Sequence, residues 1–188
     1  MKSIIAVVGD STIEPNGDKF KLATELGKVL VDNGYRVQTG GRGGIMEAAF
    51  IGAKMSKKYT GNENIAVSPF FNKKFVNPHA DIVINTGVDL LRNTIVVTAD
   101  AVVAIGGGAG TLAEMANAWT MGKLVIGYDN VEGSSARMAN APIDHRKRYE
   151  NIPDDRVYGV KTAADVIKVL NENINRYDHV YRSLMDKL

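Results

Sequence analysis

The run Ala101-Val102-Val103-Ala104-Ile105-Gly106-Gly107-Gly108-Ala109-Gly110-Thr111-Leu112-Ala113-Glu114 decides how the rest of the chain is read. Its first five residues are uninterruptedly apolar, as in a strand buried on both faces of a parallel sheet. Four glycines and a hydroxyl residue then lead into a helix expected over 111–121, with Gly122 as its stop. Glycine lets a backbone approach a phosphate closely and take positive φ, while the free amides and dipole of the following helix attract the anion. Gly107, Gly108, Ala109, Gly110 and Thr111 are therefore candidate phosphate- or nucleotide-binding residues, with Thr111 adding a hydroxyl donor. A tight turn that needed glycine only for packing would call for fewer of them. No Lys-Ser or Lys-Thr pair follows the last glycine, so this is not a Walker loop, and the loop after the first strand lacks the glycine spacing of a dinucleotide fingerprint.

Outward from this run, strands and helices alternate. A β-branched apolar run at 4–8 is closed by Gly9-Asp10-Ser11, and Leu22, Leu26, Val29 and Leu30 recur at helical spacing over 18–33 before Gly34. A strand at 35–38 runs into Gly40-Gly41-Arg42-Gly43-Gly44, which opens a helix over 45–57. Strands follow at 65–68 and 81–85, then a helix from about Val88, the central strand, and a strand at 124–127. Residues 129–155 have little periodicity and read as a long excursion before a strand at 157–160. Thr162 is placed to cap a final amphipathic helix carrying Val166, Ile167 and Leu170; the tail to Leu188 reads as a further packed helix or a fraying end. The pattern specifies one α/β domain over 1–188, a doubly wound, mostly parallel sheet of Rossmann-like type with helices on both faces and right-handed crossovers. Ligands of such folds lie beyond the carboxyl ends of the strands. That rule puts three loops on one rim and adds Gly9, Ser11, Gly41, Arg42, Gly43 and Gly44 to the candidate binding residues.

Composition narrows the function classes. The chain's 188 residues, 45% of them hydrophobic, suffice for one core without staples. The absence of cysteine removes disulfides, thiolate nucleophiles and cysteine-bound metals. With 23 basic and 21 acidic residues, the net charge of +2 gives no field suggesting nucleic acid or a membrane as partner. The apolar run at 4–8 is much shorter than the roughly 7–15 residues of a signal-peptide core, so a soluble cytoplasmic protein is expected. His145-Arg146-Lys147-Arg148, without interleaved aromatics, reads as a solvated loop. His79 and His179 are isolated, so no metal site is expected.

Two charged residues stand out. Glu114, three residues beyond Thr111, projects from the first turn of the same helix face, beside the phosphate site. There it either complements the helix dipole or serves another part of the ligand. Arg92, amid Leu90, Leu91, Ile95, Val96 and Val97, either reaches solvent or pairs with an anion.

Gly41-Arg42-Gly43-Gly44-Ile45-Met46, Arg92, residues 100–105 and Gly107-Gly108-Ala109-Gly110-Thr111-Leu112-Ala113-Glu114 together resemble the Lonely Guy (LOG) family and the wider SLOG superfamily. The likeness is greatest to the branch that holds small Rossmann-like proteins and molybdenum-cofactor carriers. In LOG enzymes the motif reads Pro-Gly-Gly-x-Gly-Thr-x-x-Glu, and a preceding arginine works with the glutamate to hydrolyse the N-glycosidic bond of a nucleoside 5′-monophosphate. The resemblance thus implies Arg92 and Glu114 as catalytic candidates. It also implies a homodimer or homotetramer, here through the helices around Glu47 and Trp119. Gly106 stands where the family has proline and Asn93 where it has lysine, and the 40–44 loop is shorter; phosphate binding survives these departures better than catalysis does. No lysine suits a pyridoxal phosphate Schiff base, so the lysine decarboxylase label given to such proteins is set aside and no cofactor is expected.

Three functions compete. One is a nucleoside 5′-monophosphate phosphoribohydrolase, with the glycine turn on the phosphate and Glu114 directing water to C1′. The second is a non-catalytic carrier or sensor of a nucleotide or phosphorylated pterin. The third, a purely structural module, leaves the glycines at the helix start without purpose.

Overall fold

The computed structural model describes residues 1–177. Seven strands are joined by helices: β1 (Ile4–Gly9), α1 (Asp18–Asp32), β2 (Arg36–Thr39), α2 (Ile45–Lys54), β3 (Asn64–Ser68), β4 (Ile82–Asn85), α3 (Arg92–Val96), β5 (Ala101–Ile105), α4 (Ala109–Thr120), β6 (Leu124–Tyr128), α5 (Ser134–Met138), β7 (Tyr158–Val160) and α6 (Ala163–Asn173). All neighbouring strands run parallel, in the order β4-β3-β2-β1-β5-β6-β7. The order reverses between β1 and β5, where the connections diverge to opposite sides and leave a crevice beyond the strand ends. This is the doubly wound α/β fold the alternation specified.

Period-two alternation makes the two cores. Ile5 and Val7 of β1, with Val103 and Ile105 of β5, face the layer holding α1, α2 and α6. Ala6, Val8, Val102 and Ala104 face α3 and α4 through Val96, Met115 and Ala118. Because both faces are covered, the central strands read as unbroken apolar runs. The edge strand β4 differs: Ile82, Val83 and Ile84 stay exposed on both faces.

Several expected elements have different limits. The helix expected from Val88 is a 3-10 turn (Asp89–Leu91) followed by the five-residue α3, leaving Leu90 and Leu91 exposed at 71% and 75%. The helix expected at Thr111 begins two residues earlier, because Gly108 takes the cap position. The long excursion contains α5. Thr162 caps α6 as expected, in a reciprocal capping box with Asp165. Beyond a 3-10 turn at Ile174–Tyr177 the expected tail helix lies outside the described residues. Among the described residues no helix is long and apolar enough to cross a membrane.

The expected basic loop needs correction at one residue. Arg148 stacks on Trp119 with its guanidinium 3.4 Å from the ring centroid, and two nitrogens reach the Asp155 carboxylate at 2.7 Å. A planar guanidinium can satisfy an aromatic face and a carboxylate together, so Arg148 staples the excursion to α4 rather than solvating it. The same packing leaves the Trp119 side chain only 2% exposed, while Leu112 of the same helix stays exposed.

Candidate functional site

Three strand-end loops meet in a cleft of about 280 Å³. Gly9 and Ser11 line it from the β1 loop and Arg42 from the β2 loop. Arg92 comes from α3, and Gly108, Gly110, Thr111 and Glu114 come from the start of α4. Gly41, Gly43, Gly44, Gly107 and Ala109 shape the loops from behind or beside this wall; Gly44 caps α2, close against the Asp10 carbonyl.

The glycine turn is held by side chains from distant parts of the chain. The Gly106 amide donates to Ser135 Oγ (2.8 Å), which itself donates to the Tyr128 carbonyl (2.7 Å). The Ser134 amide donates to the Gly107 carbonyl (2.7 Å), and Ser134 Oγ donates to the Gly108 carbonyl (2.9 Å). From the other side Asp10 Oδ2 accepts the Gly107 amide (3.0 Å) and the Lys19 ammonium (2.6 Å). Gly106 and Gly107 have φ of +63° and +89°, and a Cβ on Gly107 would lie 2.2 Å from Thr111 Oγ1. Proline at 106, with φ near −65° and no N–H, could neither adopt this turn nor donate to Ser135. The departure from the LOG motif at this position is thus built into the hydrogen bonding.

Beyond these braces the backbone changes character. Among the described residues, the amides of Gly108, Ala109, Gly110 and Thr111 donate to no protein acceptor. They are the open donors that every helix start presents. A Cβ added at Gly108 or Gly110 would meet nothing within 4 Å, so the space beside these two glycines is open.

Arg92 and Glu114 form a buried pair, each 7% exposed, with Nη1 3.1 Å from Oε1. The alternative of a solvated Arg92 does not hold. Its guanidinium lies over Gly40, where a Cβ would come within 2.4 Å of Nη1, so glycine at that position makes room for it. Arg92 Nε is buried and has no acceptor among the described residues. Gln38, buried in β2, donates to the Val96 carbonyl (2.7 Å) and fixes α3 over the sheet. Burial pushes the Glu114 carboxyl up to about 7, with Arg92 pulling it partly back. Burial likewise lowers the Arg92 pKa, and Glu114 opposes that shift.

Asp10, Met46, Leu90 and Asn93 also line the cleft, outside the residues singled out by motif. Asp10 had a positional signal, since it follows the first apolar strand directly on the rim. Ser134 and Ser135 had none, because they lie in an aperiodic stretch and reach the turn only through the packing of β6 beside β5.

Residues 2–156 match the SLOG cluster4 family. An uncharacterized protein of Archaeoglobus fulgidus is 36% identical over 122 residues, covering 64% of this chain and 76% of that protein. Among solved structures, the molybdenum cofactor binding protein of the phototrophic bacterium Rippkaea orientalis is 31% identical with a TM-score of 0.74, over 93% of this chain and 98% of that one. The Moco carrier protein of Chlamydomonas reinhardtii is 27% identical with a TM-score of 0.72, over 94% and 99%.

Proposed function

The chain belongs to the SLOG cluster4 family, and from that premise we propose that it binds a phosphorylated pterin or nucleotide in the cytoplasm and carries it unchanged. The observation that carries this reading is the row of four unengaged amides at 108–111, from which Gly108, Gly110 and Thr111 line a cleft that also holds Arg42 and Arg92. Amides at a helix start with cations opposite suit a phosphate dianion, and no reorganisation is needed to receive it. The likeness to molybdenum-cofactor carriers supports a pterin as the attached group. Asn93 on the cleft wall supplies no charge where LOG enzymes have lysine, which favours holding a ligand over cleaving it. Mass spectrometry of small molecules released from natively purified protein tests the reading. An intact phosphorylated heterocycle is expected, and an empty protein that binds no phosphate compound would remove it.

One observation favours a second reading, hydrolysis of a nucleoside 5′-monophosphate. Glu114 titrates near 7 beside the phosphate cradle, so it can take a proton from water as the water oxygen attacks C1′ and the base leaves. Arg92 would hold the carboxylate in place. Release of free base and ribose 5-phosphate from a nucleotide panel would establish this activity. A homo-oligomer is part of the same proposal. Its contact surface is the exposed apolar group of Leu90, Leu91, Ile95 and Leu112 beside the cleft, in place of Trp119.

A further inference from the structure

A second, larger cleft adjoins the first and shares one wall with it. It measures about 850 Å³ and is bounded by the 12–19 segment after β1 and by Asn130, Val131 and Glu132 after β6. Asp10 lines both clefts. The glycine cleft, at about 280 Å³, falls just under the roughly 300–1,000 Å³ that houses a whole small ligand. A phosphate and its immediate attachment take up much of that space, and the second cleft offers room beside it for the rest of such a ligand.

The lining of the second cleft says what that rest is. Ile13, Pro15 and Val131 give apolar contact, and Ile13 and Val131 are packed against the core, which fixes these walls. Glu14, Asp18 and Glu132 supply carboxylates, and the cleft's lysine, Lys19, already donates to Asp10 at 2.6 Å. Ionised carboxylates only accept hydrogen bonds, so this lining repels phosphate and suits an edge rich in N–H donors. Across Asp10, the glycine cleft holds open amide donors and two arginines beside Glu114, and the second cleft holds three further carboxylates with Lys19 already paired.

We propose that the second cleft seats the ring of the ligand, an amino-bearing heterocycle of guanine or pterin type, whose phosphate lies against the 108–111 amides. This rests on the phosphate-binding reading above. Guanine and pterin present an adjacent ring N–H and amino group that pair with one carboxylate through two bonds. Adenine has an amino group but no ring N–H beside it, so the site discriminates between purines.

Calorimetric titration of the full chain with inorganic phosphate, GMP and AMP tests this, using the wild type, Thr12→Trp and Glu132→Gln. Thr12 is an exposed cleft residue, and tryptophan there fills the space. GMP is expected to bind at least tenfold tighter than phosphate and tighter than AMP. Thr12→Trp is expected to bring GMP down to the level of phosphate without changing phosphate itself, and Glu132→Gln to narrow the gap between GMP and AMP. Wild-type GMP affinity in both variants, with phosphate still bound, overturns the ring site and leaves the phosphate site standing. Failure of the wild type to bind either phosphate or GMP overturns both.

Discussion

Replacing Glu114 by glutamine will remove most of one pH-dependent contribution to stability. The carboxyl moves from 4.5 to about 7 on folding because burial opposes its charge more strongly than Arg92 supports it. Between those values the folded protein holds a proton that the unfolded chain has released, so stability falls as pH rises. The loss is absent below the unfolded value and complete once pH passes the folded one. At about 1.4 kcal/mol per pH unit, the separation of the two values amounts to about 3 kcal/mol. For a chain of this size that is on the order of 6–12 °C in Tm. Glutamine keeps the side-chain length and an oxygen acceptor for Arg92 but does not titrate. Urea unfolding of both proteins between pH 4 and pH 8, at one protein concentration and followed through Trp119 fluorescence, reads the effect. The stability of the wild type relative to the variant is expected to drop by about 3 kcal/mol across that range. The attraction of Arg92 for the ionised carboxylate is already contained in the folded value near 7, so only differences in packing and neutral hydrogen bonding add a constant offset to the comparison. A stability difference that stays constant with pH would refute the argument that Glu114 is held, desolvated, near neutrality.

Other consequences can be measured separately. Gly108→Ala adds a Cβ that meets nothing within 4 Å, so it costs only about 1 kcal/mol through the weaker helix cap, yet its methyl group on the cleft wall weakens phosphate binding in calorimetry. Gly107→Ala, by contrast, costs about 1–3 kcal/mol in urea unfolding, because φ is +89° and Thr111 occupies the space. Ser135→Ala strands the Gly106 amide in the interior and destabilises by about 1–3 kcal/mol, with weaker phosphate binding in calorimetry as the turn loses its brace. On the proposed homo-oligomer, wild type is expected to run above monomer mass in size-exclusion chromatography with light scattering and Leu91→Lys at monomer mass; a monomeric wild type overturns the oligomer, and an unchanged mass in the variant places the contact elsewhere.

The site was legible where it is local. The glycine turn, its hydroxyl and the helix behind it are contiguous, so their meeting at one strand end could be read from spacing alone. The pairing of Arg92 with Glu114 was reachable through family resemblance but not through composition, since an arginine among leucines could equally have pointed to solvent. What decided it is Gly40, whose missing side chain leaves a pocket for the guanidinium. The solvated reading of the 145–148 cluster failed at Arg148 because its partners, Trp119 and Asp155, lie on other elements.

By itself the chain's alternation of apolar strands, helices and glycine turns determined the doubly wound sheet and the rim on which any ligand must lie. Those features follow from backbone preference and from burial on both faces of parallel strands, which act over a few residues. Only the tertiary structure decided which amides of the glycine turn stay open, because Ser135 and Asp10 engage those of Gly106 and Gly107 and leave four. It alone also set the ionisation of Glu114. Hydrogen-bond competition and desolvation depend on what residues far apart in sequence bring to one place, and no local pattern records that.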